Sequence, residues 1–283
     1  VSASLTPRSS GPERPTLDLS GPKLALAFEM LAVRSEDYGG VERYVAALEL
    51  KSRLFRDALG GDGARGLDLR TARTLCAHMA TVRRRVGSYL EPSKFEPLRT
   101  AIADLLDGCG DTSAADRRVA DFTARFPDDR AHRWVRDLAA ELLHNVDPER
   151  YPLMMRWVWD AQANTGVIRE VWHGPEVDNM VIDVPDRYET FLVLREELSQ
   201  FLTQHGVYRD LPHYVDLLTA QLYANYICEQ GGAYLRTDFS APEDPMQYTR
   251  RLLGLDGVTP DGRIRLKALD GQAVIVETPK RTN

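Results

Sequence analysis

Apolar residues recur three or four positions apart through most of this chain, which predicts a mainly α, multi-helix bundle. Ser20 and Pro22 precede KLALAFEMLAV, and proline suits a first helical turn. After Gly39-Gly40, the positions Val41, Tyr44, Val45, Leu48, Ser52, Phe55 and Leu59 mark a second helix, stopped at Gly60-Gly61. Asp68 can cap a third, with the stripe Ala72, Leu75, Cys76, Met79, Val82, Val86 and Leu90. Phe95 to Leu106 and Thr112 to Phe126 read as the next two.

From Arg130 to Val146, Trp134, Leu138, Leu142 and Val146 share one face. Asp147-Pro148 and Tyr151-Pro152 then impose two chain breaks or helix starts. A helix is expected from Pro152 to Ala163, with Leu153, Met154, Trp157, Val158 and Ala161 on one side and Met155 and Trp159 towards the other. A helix apolar on more than one face is central in its fold or covered by a partner. Asn164-Thr165-Gly166 stops it, and Met180 to Val184 suits a short strand. Further helices are expected from Asp186 to Gly206, from Asp210 to Gly231-Gly232 and from Asp244-Pro245 to Gly254. The tail changes period: RIRLKAL, Asp270-Gly271 and QAVIVET together spell a small C-terminal β-hairpin.

These elements divide the chain into four parts. Residues 1–20, rich in Ser, Pro and Gly, are expected to be a flexible lead-in. Residues 21–126 form an N-terminal helical layer, 127–256 a second layer packed on it, and 257–283 the hairpin tail. At 283 residues the chain can bury a sizeable core.

Charge narrows the partners. A net charge of −6 argues against a non-specific nucleic-acid binder, which carries a basic face. Five lysines stand against thirty-one arginines, a bias that fits a GC-rich, bacterial coding sequence. Cys76, Cys109 and Cys228 are far apart, without a CxxC pair, so neither a disulfide framework nor a zinc site is expected. Reduced thiols, no apolar membrane span and no signal-peptide core lead to the expectation of a cytoplasmic protein away from membranes.

The candidate chemistry concentrates between Leu142 and His173, which holds three of the four tryptophans. Arg150, Tyr151, Arg156, Trp159, Asp160 and Trp172 are the residue types that concentrate binding energy at interfaces, and are expected to form an aromatic–arginine docking surface. Trp157 shares a stripe with Leu153 and Ala161, which favours burial. His144, Asp210 and His213 make a second candidate, a polar pocket, although no nucleophile accompanies them. Glu141 and His144 form a lone ExxH pair, where a di-iron bundle needs two, so no metal and no cofactor is expected.

Leu143-His144 to Tyr151-Pro152 resembles a helix-turn element of helix-hairpin-helix DNA glycosylases. The Gly-rich hairpin and following lysine that grip the phosphate backbone in that family are missing. There is also no GxxxxGK[ST], GxGxxG after a strand, GxSxG or HExxH. The leading expectation is therefore a non-catalytic accessory or adaptor protein with a protein partner, compatible with homo-oligomers. The alternative, which the resemblance implies, is a helical enzyme or nucleic-acid-acting protein with a pocket around residues 144–213. A deep cavity joining His144, Asp160 and His213 would favour that alternative, and a flat exposed patch would favour docking.

Overall fold

A computed structural model describes residues 14–36, 39–174, 177–234, 245–258, 263–267 and 273–277. Ten α-helices lie among the described residues: α1 Gly21–Ser35, α2 Val41–Leu59, α3 Leu69–Ala77, α4 Phe95–Leu106, α5 Ala115–Thr123, α6 Trp134–Val146, α7 Val167–Val171, α8 Tyr188–Gln204, α9 Leu211–Tyr234 and α10 Pro245–Leu252. The chain is mainly helical, as its periodicity predicts. The strands β1 Arg263–Lys267 and β2 Ala273–Glu277 pair antiparallel, Ile264 opposite Val276 and Leu266 opposite Val274. Asp270 and Gly271 lie outside the described residues.

Two helices organise the core. α6 packs on α2, α4 and α5, and is buried from Trp134 to Asn145 except at Arg136. α9 packs on α1, α2, α7, α8 and α10. It runs past Gly231-Gly232, which were expected to end it. Glycine weakens a helix by only about 1 kcal/mol, so neighbouring contacts can carry a helix through it.

Three further expectations fail, each for a tertiary reason. The third helix ends at Ala77, because the chain around His78 meets the end of α10: a β-carbon on Gly254 (φ +70°) would lie 1.7 Å from the His78 carbonyl oxygen. Met79, Val82, Val86 and Leu90 are buried all the same, carried by successive turns and a 3-10 helix over Val86–Leu90. Met180 to Val184 forms no strand. The largest difference is at Pro152 to Ala163, which is not helical.

That segment threads the interior as irregular backbone, which is tolerated only where every polar group is served. Val167 and Ile168 donate to the carbonyls of Trp157 and Val158, and Asp160 pairs with Thr165 as an isolated bridge. Gly166 (φ +121°) makes the return possible, since a β-carbon there would lie 2.7 Å from the Val158 oxygen. Buried Asp137 accepts from the Arg156 backbone N–H and takes its guanidinium at 3.3 and 2.8 Å. The segment is apolar on several sides because it is surrounded, without being a helix.

The lead-in also differs. Leu17 is buried, Leu19 bridges Trp172, the Ser20 N–H donates to Val171 at 2.7 Å and His173 donates to Asp18 at 2.8 Å. Residues from Leu17 to Ser20 are thus docked beside α7.

Candidate functional site

The last turn of α6 carries His144, and the break at Pro148 returns the chain so that the Tyr151 carbonyl faces it. His144 Nδ1 donates to that oxygen at 2.8 Å. α9 opens beside this corner with Pro212 in its first turn, setting His213 and Asp216 on one face three residues apart. His144 Nε2 lies 3.0 Å from Asp216 Oδ2, and His213 Nδ1 lies 4.0 Å from the same oxygen. Asp216 Oδ2 has no hydrogen bond of good geometry, so the contact is an ion pair first. α8 closes the corner: Arg195 Nη1 donates to the carbonyls of Pro148 and Glu149 at 3.1 and 2.8 Å.

Electrostatics favour the charged pair. Burial pushes the His144 imidazole down, but the Asp216 carboxylate, the Tyr151 carbonyl and Glu141 outweigh it, so its pKa is raised. Burial pushes Asp216 up, and the His144 and His213 imidazoles more than reverse this, so its pKa is lowered. Both His144 nitrogens face acceptors, which only an imidazolium satisfies. An imidazole held this way has no free lone pair with which to act as a base.

A cavity of about 20 Å³ lies here, lined by His144, Pro152, Leu153, Arg195, Asp216 and Thr219 among others. A water molecule needs roughly 10–15 Å³ of such space, so the cavity has the room of a water, not of a substrate. His144 and His213 therefore do converge, on an aspartate that the sequence reading missed. Asp210 caps the start of α9 through its carbonyl, which accepts from His213 and Tyr214 at 3.0 and 3.1 Å. Asp160 lies elsewhere, holding its own turn through the Ala163 N–H and pairing with Arg133 at 3.3 Å.

The expected docking residues are mostly interior. Trp159 and Tyr151 are fully buried, Trp159 with its indole donating to Val184 at 2.9 Å and Tyr151 with its hydroxyl donating to Cys109 at 2.6 Å. Asp160 is buried, and Arg156 is engaged with Asp137. Trp172 is half-buried against the lead-in, and Arg150 is exposed but paired with Asp147. Within Pro152 to Ala163 the expected helix does not form, and the returning backbone turns Trp159 and Asp160 inward.

A second buried pair also escaped the sequence reading. Lys51 donates to Glu141 Oε2 at 2.9 Å and to the Leu253 carbonyl at 3.0 Å, while Asn145 donates to the same carboxylate at 3.0 Å. These contacts tie α2, α6 and the end of α10 together. Glu141 and His144, the ExxH pair, thus serve separate ion pairs. No group of three or more His, Cys, Asp or Glu among the described residues is placed to hold a metal. Both misses carried a signal: Lys51 sits on the apolar stripe of its helix, and Asp216 interrupts an apolar run three residues after His213.

What is apolar and exposed lies elsewhere. α1 buries Leu24, Ala27 and Leu31, yet Leu26 and Val33 on its outer side are 56% and 58% exposed, flanked by exposed Ala25 and Ala32. No helix among the described residues is long and apolar enough to cross a membrane. No protein-family model, curated protein or solved structure matches the chain.

Proposed function

We propose that this chain is a non-catalytic accessory protein that docks on another protein, with the outer face of α1 as its contact. The observation that carries the reading is the pair Leu26 and Val33, exposed seven residues apart on a helix whose opposite face is already buried. Two large apolar side chains held in water on one face of a helix offer a partner surface to bury. The locked imidazolium and water-sized cavity at His144 support the non-catalytic half of the proposal. Of the residues first expected to dock, Arg150 is exposed and Trp172 half-buried. Composition supports a bacterial, cytoplasmic setting, and the Asp270-Gly271 turn of a C-terminal hairpin belongs to the same proposal.

The test is photo-crosslinking from position 26 or 33 in cells of the native organism, with Leu26→Asp and Val33→Asp as controls. A discrete adduct lost in both variants, at unchanged melting temperature, is the expected result. Crosslinking no different from that at an exposed polar position removes the reading.

A second reading rests on the convergence of His144 and His213 on Asp216: a helical enzyme or helix-hairpin-helix-glycosylase-like nucleic-acid-acting protein that uses this corner. Binding of DNA at physiological salt, lost in Asp216→Asn while circular dichroism shows that variant still folded, would favour it over docking.

A further inference from the structure

The outer face of α1 is more than apolar. Its line runs Pro22, Leu26, Glu29, Val33 and Glu36, all exposed, with Ala25 and Ala32 beside the two larger residues. Leu26 and Val33 are about 10 Å apart along the axis at 1.5 Å per residue. Glu29 sits between them, with no ion-pair or hydrogen-bond partner among the described residues. The small alanines let another helix approach closely, while the carboxylate fixes what that helix must carry.

Three occupants compete for this face, and charge separates them. A second copy, meeting the stripe about a two-fold axis with Leu26 and Val33 in contact, would bring Glu29 against its own symmetry mate. Two like charges at the centre of an apolar contact are repelled and desolvated together. An apolar surface without charge would leave Glu29 covered and unpaired, which is also unfavourable. A partner helix with apolar residues at heptad spacing and a lysine or arginine between them satisfies both apolar steps and the carboxylate.

We infer that α1 receives an amphipathic helix of a different protein, with a basic residue opposite Glu29 between two apolar contacts on Leu26 and Val33. This rests on the docking reading and names the chemistry of its partner.

The probe is a fluorescein-labelled amphipathic peptide with leucines at heptad spacing and lysine midway between them, compared with the same peptide carrying glutamate there. Fluorescence anisotropy on the full chain should show the lysine peptide binding about fivefold more tightly, the scale of one exposed ion pair. Glu29→Lys should invert the preference, and Leu26→Ser with Val33→Ser should abolish binding while circular dichroism and melting stay unchanged. Equal binding of the two peptides, still lost in the serine variant, overturns the basic-helix assignment and leaves docking on α1 standing. Binding of neither peptide, or binding indifferent to Leu26 and Val33, overturns both. Sedimentation showing a dimer that the serine variant dissociates makes a second copy the occupant and overturns the inference.

Discussion

His144 and Asp216 form a buried ion pair: Nε2 stands 3.0 Å from Oδ2 while Nδ1 donates to the Tyr151 carbonyl at 2.8 Å. The two residues belong to α6 and α9, the two organising helices, so the pair ties these helices together. Its stabilisation has a definite pH window. The raised pKa of His144 gives stability that is full below its unfolded value of about 6.5 and lost as pH rises through the folded value. The lowered pKa of Asp216 gives stability present above about 3.9 and lost as pH falls through its folded value. Asp216→Asn should therefore destabilise by about 3–5 kcal/mol near pH 6 and remove the alkaline loss. Urea unfolding across pH checks this, and an unchanged alkaline slope in the variant would place that slope in another group.

His78 works in the opposite direction. It is buried, and burial, followed by the charges of Lys51 and Arg83, pushes its pKa down to about 3. A depressed histidine stays neutral in the fold while the unfolded chain takes up a proton below about 6.5, so stability falls as pH drops from there towards 3. His78→Leu should flatten that acid limb relative to wild type. Equal acid slopes in both proteins would show that His78 is not its source.

Lys51 and Glu141 should behave as a unit. Removing one member leaves the other charge buried and uncompensated, so Lys51→Met alone should cost about 3–5 kcal/mol. The double variant Lys51→Met, Glu141→Leu should recover most of that loss, because replacing a whole buried pair by apolar groups is often close to neutral. Additive losses in the double-mutant cycle would mean that the two side chains are not coupled.

Trp159 is expected to behave as core. Truncation to alanine should lower stability by about 3–5 kcal/mol, removing a fully buried indole and its bond to Val184. A variant that melts like wild type would return Trp159 to the list of docking residues.

Deleting residues 1–19 should lower the melting temperature. Leu17 alone accounts for about 1.5–3 kcal/mol on full burial, and the bridge of Leu19 to Trp172 is lost with it. A differential scan of the shortened and full chains decides the matter, and coincident transitions would mean that the docked segment adds nothing.

Local periodicity and local stops are legible in the sequence. α2 and α4 begin and end where the apolar spacing and the glycines indicate, and Asp68 caps α3 through the Thr71 N–H at 3.0 Å as read. The sequence also marked the stretch from Leu142 to His173 as unusual, through its tryptophans and isolated charges. It could not say why, since a spacing of three or four residues fits an amphipathic helix and a chain of buried turns alike. That Pro152 to Ala163 threads the core without a helix depends on tertiary contacts, because Asp137, Val167 and Ile168 serve its backbone from outside the segment. The ion pairs follow the same rule: His144 meets Asp216 and Lys51 meets Glu141 across 72 and 90 positions of sequence. A helix needs partners one turn away, whereas a buried charge needs a partner that only folding brings to it.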